Sequence, residues 1–217
     1  MLLSTTKECE MRFRKLMVVA LATTFISTSL VSASADSGKS NQSMTHMKTG
    51  AGLASTLEAA GVVLYVQGGA TSSVIGDSIG AAGGQYVFHI PITANKSGIQ
   101  HLGSNIVFFN TANNSQLQLR NLVIDLQRGV ITATVPQAGD QKLDILTITN
   151  AATLAPKITK DRKTNFRATA YQGASLSLAP GIAASISTIL GLPVNSLPEA
   201  AAFGSADVTL YSKDKKK

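Results

Sequence analysis

The chain of 217 residues has one cysteine, no tryptophan and only 5% aromatic residues. Cys9 precedes an apolar run that reads as a leader, so the exported part carries no thiol nucleophile, no disulfide and no thiolate metal site. Without tryptophan, no basic strip interleaves with stacking rings, and nucleic acid is not an expected partner. Acidic residues are scarce, 12 against 19 Lys and Arg. Beyond residue 36 glutamate occurs only as Glu58 and Glu199, both in helix-like stretches, so the carboxylate pair of glycoside hydrolysis has no candidate. Asp125, Asp140 and Asp144 fall near strands without the spacing of a calcium loop, and neither H-E-x-x-H nor a P-loop occurs. No catalytic residue is assigned.

What is present begins with Lys7, Arg12, Arg14 and Lys15, an apolar run over residues 16–31, and Ala33-Ser34-Ala35. A basic segment, an apolar segment and an A-x-A site predict a signal peptide over 1–35, cut near Ala35. The run is shorter than the roughly 20 residues a spanning helix needs. Met11 offers an alternative start to Met1. The expected location is secreted, periplasmic or cell-surface. Residues 36–50 are polar and aperiodic and are expected to form a flexible arm. Within it, Met44, His46 and Met47 (M-T-H-M) are donors that a soft ion accepts, but one such tetrapeptide defines no site and no metal is assigned.

Residues 51–212 carry the signals of one domain. A short helix is predicted from Leu53 to Ala60, stopped by Gly61, and a second from Pro180 to Leu190, stopped by Gly191. Strands are predicted at 62–67, 85–92, 105–109, 116–126, 131–135, 142–149, 165–171, 174–178 and 207–211. In the second, Tyr86, Phe88, Ile90 and Ile92 form the core face, so His89 points away from it, and Pro91 puts the strand at an edge or ends it. Between 116 and 126 the alternation slips: Leu117 and Leu119 share one phase, Leu122, Ile124 and Leu126 the other. A bulge near Arg120-Asn121 restores the register. In the next strand Ile131, Ala133 and Val135 are expected inside, Thr132 and Thr134 outside. These patterns predict an all-β fold, an antiparallel sandwich or flattened barrel of about eight strands with one or two short helices.

The formal charge is +7. The excess beyond the leader sits in two stretches, Lys157 to Arg167 and the tail Lys213 to Lys217. An anionic envelope polymer or membrane surface is the partner these would meet. His101, with Gly98 before it and Gly103 after it, is the one ligand-binding candidate, able to ligate a metal or haem iron or to bond a neighbouring loop.

The succession AAGVVLYV, FHIPI, G-I-x-H-x-G entering a strand, L-x-N-L-V-I-D-L, G-V-I-T-A-T-V and F-G-x-A-x-V-T-L resembles a group of secreted bacterial β-domain proteins similar to the haem-transport-associated (HtaA-type) domain. The likeness covers about residues 53–211. It implies a secreted or surface β-domain and haem binding through a tyrosine and a histidine, with His101 at the histidine position. The aromatic segment bearing the tyrosine has no counterpart here. The expected function is a non-enzymatic binding or structural module of the cell envelope with no required cofactor. Haem binding through His101 is the alternative, and an enzyme of unrecognised class a second one.

Overall fold

Alternating apolar residues on successive short segments can bury their faces only against one another, and here they do so by curling one antiparallel sheet around a shared core. The computed structural model of the protein describes residues 42–75, 84–161, 165–193 and 196–213. The predicted signal peptide, the first part of the predicted arm and the last four residues of the tail lie outside the described residues. The strands are β1 (Met44–Thr49), β2 (Val62–Gly68), β3 (Thr71–Ile75), β4 (Gln85–Pro91), β5 (Ile99–Asn110), β6 (Gln116–Asp125), β7 (Val130–Val135), β8 (Gln141–Ile148), β9 (Lys157–Asp161), β10 (Phe166–Leu178) and β11 (Ala202–Lys213). Helices α1 (Leu53–Ala59) and α2 (Ile182–Leu190) complete the described elements, with short 3-10 turns at Pro136–Ala138 and Ala151–Thr153. The sheet order is β2-β5-β6-β7-β8-β10-β11-β1-β4-β3, with β9 added on β10. The result is an all-β, nearly closed barrel-like sheet with two helices.

The register shift in β6 falls where the slipped alternation places it. Arg120 pairs with Thr134 and Val123 with Thr132, with Asn121 at a positive φ of 51° between them. Leu117, Leu119, Leu122 and Ile124 are all buried as a result. β4 ends at Pro91, inside the sheet rather than at its edge, because β1 and β3 flank it. The expected strands at 165–171 and 174–178 are one strand, β10, bulged between Tyr171 and Ala174. Above the bulge β10 pairs with β8; below it the partner is β9, and the lower half, still paired with β11, forms a three-stranded flap.

Three expectations need correction. The flexible arm ends before Met44: residues 44–49 form β1, paired with β11 on one side and β4 on the other. Its sequence reads as polar, but Thr45, Met47 and Thr49 alternate inward and are buried, and threonine suits a pleated surface. The strand count rises to eleven because β1, β3 and β9 were too polar or too glycine-flanked to show a hydrophobic period. Thr132 faces away from Ile131 and Ala133, as expected, yet it is buried at 5% exposure beside a register shift against β8.

The pairing sorts the connections to two ends. The helix end carries α1, α2 and the 111–115 turn, where Asn110 Nδ2, Asn113 Nδ2 and Ser115 Oγ all donate to the Leu190 carbonyl and close the C-terminus of α2. The opposite end carries the 92–98 loop, the 126–129 turn and the β9–β10 flap. Both exits of the described chain are there too, tied by the Tyr211 N–H donating to Ser43 Oγ. The core between the ends is one cluster that includes Phe88, Ile106, Ile131, Leu190 and Val208.

Candidate functional site

His101 belongs to β5 itself, which starts at Ile99 and not at Asn105 as expected. The register against β6 breaks between His101 and Asn105, and Gly103 supplies the positive φ of 76° that the break requires. The break turns the imidazole inward, where it is 1% exposed. Nδ1 lies 3.1 Å from the Leu122 carbonyl oxygen, which can only accept, so Nδ1 carries the proton. Nε2 is then the acceptor of the Thr45 hydroxyl at 2.8 Å. Burial pushes the His101 pKa down, against a smaller upward pull from the Leu122 carbonyl.

This hydrogen bond joins β5, near one end of the strand order, to β1, near the other. Backbone bonds lie beside it: Thr93 N–H to Gln100 O, Gln100 N–H to Ala94 O and Gly69 N–H to Gly103 O. A Cβ on Gly68 would overlap the Gly103 carbonyl oxygen. His101 is therefore part of the seam at which the sheet closes. Both ring nitrogens are engaged there, and none of the cavities described below reaches it.

Two cavities occupy the two ends. The one at the helix end has a volume of about 330 Å³ and is walled by Leu53, Leu57, Phe108, Ile186, Leu197 and Phe203. It lies near the lower limit of the roughly 300–1,000 Å³ of ligand pockets. Its only side-chain hydroxyl, on Thr56, donates to the Gly52 carbonyl. The second, about 530 Å³, opens beneath the flap between Lys96, Gly98, Asp125, Tyr171 and Leu210. Asp125 Oδ1 there accepts the backbone N–H groups of Gln127 and Arg128, which fixes the turn.

The basic segments meet at that same end. Lys160 on β9 pairs with Arg167 on β10, and Arg167 with Ser212 on β11. Lys157 pairs with Ala170, and Phe166 with Lys213. Alternation therefore puts positive residues on both faces of the three-stranded corner, with Ile158 exposed between them. Arg162 and Lys163 of the expected basic loop, and Lys215 to Lys217 of the tail, lie outside the described residues.

The outer face of the sheet brings together two histidines that sequence reasoning kept apart. His46 on β1 stands directly opposite His89 on β4, with Nδ1 to Nδ1 at 2.8 Å and the rings at 83°. Partial burial and the neighbouring His89 push the His46 pKa down, and Asp207, across on β11, opposes them. His89 points away from the core as expected, yet it is half-buried and hydrogen-bonded. Nothing in the sequence announces the pair, since 43 residues separate its members and only the strand register joins them.

One further motif is visible in the sequence. Gly76-Asp77-Ser78-Ile79-Gly80 has the G-x-S-x-G spacing of a nucleophile elbow. It lies outside the described residues, and it links β3 to β4, which pair antiparallel with each other. The elbow's context is instead a strand running into a helix. No protein family, curated protein or solved structure matches the chain.

Proposed function

We propose that the protein is an exported, non-enzymatic binding module of the cell envelope that docks on an anionic membrane surface through its flap end. One observation carries this reading: two basic segments about fifty residues apart in sequence converge on the β9–β10–β11 corner. The start of the described chain leaves from the same end. A projecting corner with positive residues on both faces and an exposed isoleucine suits insertion among phosphate headgroups. Each lysine or arginine near such a surface contributes about 1 kcal/mol, screened by salt. The remaining features fit a binding role: the apolar cavity has no titratable side chain in its wall, and the carboxylate of the polar cleft is engaged by backbone amides.

Vesicle sedimentation tests the reading. The protein is expected to pellet with vesicles containing phosphatidylglycerol, to be released by added salt, and to stay in solution with neutral phosphatidylcholine. Lys157→Gln, Lys160→Gln and Lys213→Gln together should weaken binding at least tenfold. Equal pelleting with neutral vesicles, or binding to soluble polyphosphate without binding to vesicles, would overturn it.

A further inference from the structure

We propose that His46 and His89 form a two-imidazole site for a first-row divalent cation of the copper or zinc type. The rings stand on adjacent paired strands, on the outer face of the sheet, with Nδ1 facing Nδ1 at 2.8 Å. Two nitrogens that close share one proton in the metal-free protein: one Nδ1 donates it and the other accepts. The hydroxyl of Ser73 on β3 lies 3.3 Å from His89 Nε2. With Nε2–H donating to that oxygen, the His89 Nδ1 lone pair is left pointing at His46, which is the arrangement in which an outer hydrogen bond orients a ligating imidazole. A divalent cation then replaces the shared proton, forming two metal–nitrogen bonds and releasing one proton to solvent.

The required adjustment is small. Metal–nitrogen bonds of about 2.0–2.1 Å at a tetrahedral angle put the two nitrogens about 3.3 Å apart. The rings must separate by roughly half an ångström, and side-chain rotation on an outer face supplies that. Imidazole suits zinc, copper and nickel, whereas magnesium and calcium prefer oxygen. The M-T-H-M tetrapeptide as a unit is not the donor set: Met47 faces the core, on the side of β1 opposite to His46. Among the described residues no cluster of three or more His, Cys, Asp or Glu is placed to hold a metal ion. Asp207 lies beside His46 in the register, but its Oδ1 accepts the Gly173 N–H at 2.7 Å. The other coordination positions therefore belong to water or to an incoming ligand, and the site exchanges its metal readily.

The test is calorimetry and electron paramagnetic resonance on untagged protein, with Cu²⁺ as the probe and Zn²⁺ as competitor. The expected result is one Cu²⁺ per chain, hyperfine coupling to two nitrogens, and displacement by excess Zn²⁺. His46→Gln and His89→Gln should each weaken binding at least tenfold while circular dichroism stays unchanged, and Ser73→Ala should weaken it less. Binding to the His46→Gln/His89→Gln double variant as tight as to the wild type would overturn the assignment. Coupling to a single nitrogen in the wild type, or no saturable binding at micromolar Cu²⁺, would also overturn it.

Discussion

If His101 closes the barrel, removing its partner and removing the ring should cost stability in a coupled way. Thr45→Val keeps the volume and deletes the hydroxyl, leaving Nε2 an unsatisfied acceptor at a position that is 1% exposed. An unmet buried polar group costs about 1–3 kcal/mol, so a loss of about 2 kcal/mol is expected. His101→Phe keeps most of the ring volume but strands both the Thr45 hydroxyl and the Leu122 carbonyl. Gained apolar burial offsets part of that, for a net loss of about 3 kcal/mol. In the double variant the hydroxyl and the nitrogen vanish together and only the Leu122 carbonyl is left unpaired. Its loss should be about 2 kcal/mol, well short of the combined single losses. Urea unfolding of the four proteins, with unchanged m-values, measures the cycle. Losses that add within about 0.5 kcal/mol would refute the claim that this bond spans the seam. The same proteins carry a pH signature. The folded pKa of His101 is depressed by burial, so below the unfolded value near 6.5 the unfolded chain binds a proton that the fold rejects. The contribution is therefore complete above that value and is lost progressively as pH falls from it through the lower folded pKa, and His101→Phe should remove this part of the slope.

Other outcomes follow from single positions. Gly68→Ala should destabilise by more than about 2 kcal/mol in thermal or urea unfolding, because φ is 74° and the new Cβ would overlap the Gly103 carbonyl oxygen across the seam. Thr132→Val should be neutral or stabilise by up to about 1 kcal/mol, because its buried Oγ1 has no hydrogen-bond partner; a loss above 1 kcal/mol would show that the hydroxyl is satisfied in solution. Haemin titrated into the folded protein should give no Soret band that depends on His101, since both ring nitrogens are engaged; a six-coordinate band abolished by His101→Phe would reverse that expectation.

The legible parts of the fold are those where burial leaves a period. The slip between Leu119 and Leu122 marks a bulge because four leucine and isoleucine residues must all reach the core on a strand that changes phase. Tyr86, Phe88 and Ile90 mark a core face for the same reason. β1 is illegible because its inward residues are two threonines and one methionine, and its threonines are matched by partners distant in sequence. Thr45 meets His101, and Thr49 Oγ1 accepts the Tyr86 N–H. β3 is exposed along its whole length and β9 is exposed and charged, so neither has an apolar side to count. They exist because a neighbouring strand offers an unpaired edge.

The histidines separate two kinds of information. His101 stands out in the sequence because glycines flank it, yet those glycines serve the backbone: Gly98 passes 2.9 Å, as a notional Cβ, from a Val123 methyl, and Gly103 forms the break that turns the ring inward. A glycine-flanked histidine thus marks a place where strands cross closely, which is a packing signal before it is a ligand signal. His46 and His89 carry no local mark, because their meeting depends on a strand pairing that no short window contains. Chemistry on the outer face of a sheet is written in register, one residue from each strand. A one-residue slip of β1 against β4 would set His46 opposite Phe88 or Ile90 and erase the pair. The buried Thr45–His101 bond, one residue along β1 from His46, ties that strand to β5 from the inside. Closure of the barrel and the geometry of the outer imidazole pair are therefore linked through a single strand, and loosening the seam with Thr45→Val should weaken Cu²⁺ binding even though no ligand is touched.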